Sequence, residues 1–187
     1  MTIAVPRTAS LEEFLKLLDI DESPAWEYIN GEVVQKPMGG GKHSLLQKRL
    51  IVAIDAASSK YEALPELRCS FGNLSIVPDI VVVATNQLPV DENGEIASTG
   101  IEFPPLWVIE ILSPNQSQTK VTGKILHCLK HGTQMGWLFD PSERCVLVYQ
   151  RDRLPDLLAA ADVLPVLEDL TLTLSVEEVF GWLKRKN

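Results

Sequence analysis

The sequence predicts an α/β fold in which a mixed central β-sheet is flanked by helices and preceded by an N-terminal helix and hairpin. Three observations predict it. Segments with apolar residues at spacings of three and four alternate with strand-like runs, in the order helix, hairpin, helix, strands, helix, strands, helix. The run Leu106 to Leu112 is almost continuously apolar, as expected of a central strand covered on both faces. No linker, repeat or low-complexity stretch divides the 187 residues, so a single domain over 1–187 is expected. The same order of elements also fits an α+β arrangement.

Ser10 and Glu13 form a capping-box pattern ahead of Leu11, Phe14, Leu15 and Leu18, which fall on one helical face. Asn30-Gly31 between WEYI and EVVQK is a strong hairpin signal, because both turn residues tolerate positive φ. Gly39-Gly40-Gly41 reads as a flexible loop before a second helix at about Ser44 to Ser59, which should lie on a sheet. Strands are predicted at about Glu62 to Ser70 and Leu74 to Ala84. The acidic stretch Thr85 to Pro105, with no Lys or Arg, reads as a solvated loop. After the strand at Leu106 to Leu112, a helix from about Gln118 to Lys130 should stop at Gly132. Trp137 to Asp140 and Cys145 to Tyr149 form a second hairpin pattern. The leucine-rich segment beyond Arg153 is ambiguous up to Ser175, which with Glu178 opens a last capped helix ending at about Lys186.

Seventeen Lys and Arg against 25 Asp and Glu give a formal charge of −8, which excludes a generic nucleic-acid coat and requires any polyphosphate contact to be local. Cys69, Cys128 and Cys145 are an odd number without a C-x-x-C pair, which fits reduced thiols and a cytoplasmic location. No apolar run reaches the length of a membrane span, and the N-terminus turns acidic where a signal peptide would be apolar.

Two acids stand where apolar side chains are expected. Glu110 lies inside Leu106 to Leu112, and Asp79 opens the run Ile80 to Val83 directly after Pro78. An ionised carboxylate in such a strand is unfavourable unless a cation, a metal or strong donors meet it. Strand alternation puts Asp79, Val81 and Val83 on one face, and Val108, Glu110 and Leu112 on one face. If those strands are neighbours sharing that face, the carboxylates converge into an oxygen-rich site suited to Mg²⁺ or Mn²⁺. Taken singly, Asp79 also fits a turn-former after proline, and Glu110 a partner for a buried cation.

IVPDIVVV, then LWVIEILSP, a lysine-bearing helix, and GWLFDP before a strand ending in VY resemble the Uma-type family of restriction-endonuclease-like proteins, a former domain of unknown function within the PD-(D/E)XK nuclease superfamily. WEYINGEVV followed by Lys42-His43 resembles the start of that family, so the likeness spans roughly Leu11 to Tyr149. The resemblance implies a PD-(D/E)XK core with Pro78-Asp79 as its PD and Glu110 as its strand acid. The lysine two positions after that acid is here Leu112. The resemblance then implies Lys124 from the following helix as the catalytic lysine, with Lys120 one turn earlier as a substitute, and Glu32 as an additional metal-binding acid. It further implies Mg²⁺, with Mn²⁺ as a possible replacement, and DNA as the partner whose phosphodiester is hydrolysed by metal-activated water. Homodimerisation is expected from superfamily habit alone.

Basic residues gather around these positions. From Val33 to Ile54 there are Lys36, Lys42, Lys48, Arg49 and His43 with no acid, and from Phe103 to Phe139 Glu110 is the only acid. Leu11 to Glu32 carries seven acids and one base. Lys42, His43 and Lys48 are therefore candidate DNA contacts, although charge runs are more commonly solvated helix faces. His127 and His131, four apart, have no third ligand in register and read as surface histidines. The glycine-rich segment lacks the phosphate-loop pattern, and no Ser/His/Asp arrangement supports nucleophilic catalysis. The alternative to an enzyme is a nucleic-acid-binding or protein-interaction module that keeps the fold without turnover.

Overall fold

The computed structural model describes residues 10–114 and 116–185. The first element, α1 (Leu11–Leu15), has the expected capping box: Ser10 Oγ accepts from the Glu13 amide, and Glu13 accepts from the Ser10 amide. It is shorter than its apolar pattern suggests. Phe14 is fully buried, but Leu18 is 81% exposed, because the chain turns away at Asp19, where φ is 67°.

Strands β1 (Trp26–Ile29) and β2 (Glu32–Gln35) form the expected hairpin, with Asn30 and Gly31 both at positive φ. Helix α2 (Gly41–Asp55) starts three residues earlier than its apolar pattern indicates, with Gly40 at the N-cap and Gly41 already helical, so the glycine segment is only partly a loop. Its Leu46, Leu50 and Ile54 are fully buried.

The two long strands expected between 62 and 84 are each broken. They become β3 (Tyr61–Pro65), β4 (Cys69–Phe71), β5 (Leu74–Ile76) and β6 (Ile80–Ala84), and the two pieces of each expected strand enter different sheets, β4 and β5 pairing with each other in the smaller one. Proline explains both breaks: Pro65 ends β3, and Pro78, which has no amide to give a ladder, stands between β5 and β6. The chain continues through β7 (Trp107–Ile111), α3 (Gln118–His131), β8 (Met135–Asp140), β9 (Cys145–Gln150), β10 (Asp156–Ala159) and α4 (Val176–Gly181). The last helix has its Ser175–Glu178 capping box but ends at Gly181; Lys186 lies outside the described residues.

The larger sheet has the order β10-β9-β8-β7-β6-β3. It is mixed: β7 and β8 run parallel, joined by the α3 crossover, and the other neighbours are antiparallel. The smaller sheet, β2-β1-β5-β4, is antiparallel. Alternation along β6 and β7 separates two apolar layers. Ile80, Val82, Trp107, Ile109 and Ile111 pack with α2, α4 and the leucines Leu164, Leu167, Leu170 and Leu174. Val81, Val83 and Val108 face Val121, Ile125 and Cys128 of α3 and the smaller sheet. Arg68 ties the N-terminal segment to this frame: it contacts Asp21, Ser75 and the Ile20 and Trp26 carbonyls, and its guanidinium lies over the Phe14 ring. No helix among the described residues is long and apolar enough to cross a membrane.

One glycine sets how closely α3 lies on the sheet. A Cβ added at Gly136 of β8 would collide with Cγ2 of Ile125, which is fully buried. Gly136→Ala should therefore lift α3 and lower stability by about 1–3 kcal/mol, the usual range for overpacking a core. Urea unfolding checks this, and an unchanged midpoint would contradict the close approach.

Candidate active site

β6 and β7 are neighbours, with Ile80 opposite Ile109 and Val81 opposite Val108. This register carries Asp79, one residue before Ile80, to Glu110, one residue after Ile109, on the face covered by α3. Asp79 is 3% and Glu110 1% exposed. Pro78 leaves Asp79 at the point where the chain passes between sheets, and its side chain takes over a backbone partner. Asp79 Oδ2 accepts from the Ile111 amide at 2.7 Å and lies 3.0 Å from His43 Nε2. Asp79 Oδ1 accepts from Lys36 Nζ at 2.9 Å, and Lys36 also donates to the Val77 carbonyl at 2.7 Å. Gln47 of α2 donates to the Asp79 carbonyl.

Lys124 enters from α3. Its Nζ lies 2.8 Å from Glu110 Oε1 and 3.2 Å from Glu27 Oε1. Glu27, on β1, also accepts from the Val77 amide at 2.9 Å. The Lys124 ammonium, 2.8 Å from Glu110 Oε1, compensates the charge of this buried carboxylate.

Three carboxylates, from Glu27, Asp79 and Glu110, are thus gathered with two lysines and a histidine. Burial would raise the Asp79 pKa, but the His43 contact and the charges of Lys36 and Lys124 hold it well below the ordinary carboxylate range. Burial pushes Glu110 up to about 7, with Asp79 adding to the rise and Lys124 opposing it. Burial alone would discharge Lys124; Glu110 and Glu27 reverse that and hold it charged, well above the ordinary lysine value. Lys36 is raised in the same way, with Asp79 as its main partner.

Of the two candidate lysines, Lys124 lies in the cluster and Lys120 is exposed at the rim of the neighbouring cleft. Glu32 is also exposed at that rim, opposite Ile29 beside the hairpin turn, and the third acid of the cluster is Glu27. His43 is turned inward onto Asp79 rather than presented at the surface, whereas Lys42 and Lys48 of α2 are exposed. Glu27, Lys36 and Gln47 were not legible as site residues, because each is brought in by contacts between segments far apart in sequence.

A cleft of about 740 Å³ opens over the cluster between the β1–β2 hairpin and α3, with Glu27, Lys36 and Lys124 among its lining residues. The donors are carboxylate oxygens, the ligand type that Mg²⁺ and Mn²⁺ take. Among the described residues no three His, Cys, Asp or Glu side chains form a metal-holding group. Mg²⁺, however, is usually held through one or two carboxylates plus water and substrate phosphate. Asp79 and Glu110 would supply such a pair.

The model of a family described as "Uma2: Putative restriction endonuclease" matches residues 11–177. The chain belongs to this family. Among solved structures, a crystal structure of "a putative nuclease belonging to DUF820" from Anabaena variabilis is 47% identical, with a TM-score of 0.89 over 94% of this chain and 99% of that one. No curated protein matches the chain. The mixed sheet flanked by helices, shared with that structure, is the restriction-endonuclease-like fold expected of the Uma2 chain.

The raised Glu110 pKa gives stability a signed pH dependence. The folded state keeps this proton to higher pH than the unfolded state, so the contribution is full below about 4.5 and is lost as pH rises through about 7. The loss corresponds to about 3 kcal/mol. Asp79 acts oppositely, contributing stability above the ordinary carboxylate range that disappears in acid. Between pH 5 and 8, wild-type unfolding free energy should fall relative to that of Glu110→Gln in urea titrations. Parallel pH profiles would contradict the raised value.

Proposed function

We propose that this protein is a metal-dependent endodeoxyribonuclease that hydrolyses DNA phosphodiester bonds with water as the nucleophile. The observation that carries the reading is the convergence of Asp79 and Glu110, buried and on one sheet face, with the Lys124 ammonium 2.8 Å from Glu110. Family membership and the likeness to a protein described as a nuclease support it.

In this reading Asp79 and Glu110 hold Mg²⁺ or Mn²⁺. When bound, such an ion lowers the pKa of a coordinated water and neutralises charge at the scissile phosphate. The protein's own groups do the rest. The Ile111 amide, Lys36 and His43 fix the Asp79 carboxylate in one orientation and keep it ionised. Lys124, anchored between Glu27 and Glu110, presents a permanent positive charge where negative charge develops on the phosphate oxygens. Glu27 holds that ammonium in place and at the same time ties β1 to the Val77 amide beside the Pro78-Asp79 junction. Lys42 and Lys48, exposed on α2, are the candidate contacts to the DNA backbone.

One observation favours the second reading, a nucleic-acid-binding module without turnover: the lysines already neutralise the carboxylates within the protein. Cleavage separates the two. Purified protein should nick or cut DNA with Mg²⁺ or Mn²⁺ and stop with EDTA, and Asp79→Asn should lower the rate at least about 100-fold, the scale of losing a key electrostatic group. Equal behaviour of wild type and Asp79→Asn would remove the enzyme reading.

A further inference from the structure

We infer that the cleft between the β1–β2 hairpin and α3 takes an unpaired DNA strand, with one base resting on the His127 ring, so that single-stranded or frayed DNA is preferred to intact duplex. The inference rests on the nuclease reading for its choice of DNA and adds the form of the substrate.

Size is the first argument. The cleft holds about 740 Å³. That is the scale of a pocket for a small ligand, which suits an unpaired nucleotide more than the body of a helix. Depth is the second. Asp79 and Glu110 are 3% and 1% exposed, and the members of their cluster that line the cleft are Glu27, Lys36 and Lys124. A phosphate must descend between the walls to reach them, which a single backbone does more readily than a paired one.

The lining supplies the third. Four lysines, Lys36, Lys120, Lys124 and Lys130, face the cleft against two glutamates, giving a basic channel in an acidic protein. His127 lies on the same wall, one turn beyond Lys124. Its ring stacks on Phe71 with centroids 5.4 Å apart and planes 29° apart, and it is backed by His131 at 4.1 Å. A ring held flat in this way, in a groove that also carries cations, is the arrangement by which unpaired bases are bound without regard to sequence. Partial burial lowers the His127 pKa below its ordinary value, which favours the neutral ring. This gives the His127–His131 pair a role that metal binding does not.

Fluorescence anisotropy of the full chain in EDTA at about 50 mM salt, with a labelled single-stranded oligonucleotide and its blunt duplex, tests the inference. The single strand should bind about tenfold or more tightly. His127→Ala should lose about tenfold of single-strand affinity, within the range of one base stacked on one ring. His127→Phe should restore it, which separates loss of the ring from loss of folding. Equal affinity for the two DNAs, or unchanged binding by His127→Ala, would overturn the inference. Metal-dependent cutting of duplex as fast as of single strand would overturn it while leaving the nuclease reading intact. Selective single-strand binding with no metal-dependent cutting of either would support it and remove the nuclease reading.

Discussion

The contacts of one carboxylate join most of the fold to the site. Asp79 sits where the chain leaves the smaller sheet and enters the larger, and Pro78 leaves no amide there to continue a ladder. Its side chain supplies the missing connections: Oδ2 to the Ile111 amide of β7 and to His43 of α2, Oδ1 to Lys36 at the end of β2. A hairpin, a helix and two central strands are thereby referred to a single buried group. Removing one partner of such an ion pair leaves an uncompensated charge, at a cost of about 3–5 kcal/mol, so the position is as much structural as chemical.

The charge balance around this carboxylate explains how three acids coexist in an apolar interior. Glu27, Asp79 and Glu110 share two lysines, Lys36 with Asp79 and Lys124 with both Glu110 and Glu27, and it is Glu110 whose ionisation burial opposes. Such a cluster can relieve its excess negative charge by retaining a proton on Glu110. The apolar layers on either side, led by Val81, Val108 and Ile125 on one face and by Trp107, Ile109 and Trp137 on the other, keep water from relaxing these contacts.

Much of the fold was legible in the sequence because the local signals were strong. Asn30-Gly31, the Ser10 and Ser175 caps, Gly132 and the apolar run around Glu110 each impose their structure within a few residues. The breaks of the two long strands were harder to read, because Pro65 and Pro78 mark a change of sheet only once the neighbouring strands are known. Alternation predicted the pairing of Asp79 with Glu110 on the condition that their strands are neighbours sharing that face, and the register of β6 and β7 makes them neighbours. Glu27 and Lys36 were not predicted, since a glutamate beside Trp26 and a lysine at a strand end look like surface residues until β5 and α3 close over them. Lys124 and Lys120 share a helix face in the simple periodic picture. Only Lys124 reaches the carboxylates, and Lys120, one turn nearer the helix start, stays exposed at the cleft rim.

The central claim is that the buried carboxylate pair is a hard-cation site rather than a purely structural ion-pair cluster. Crystals soaked in Mn²⁺ and measured for anomalous scattering test it most directly. The account predicts a peak in direct coordination contact with Asp79 and Glu110, and loss of that peak in Glu110→Gln. An empty pair under saturating Mn²⁺, with Lys124 still seated 2.8 Å from Glu110, would contradict it.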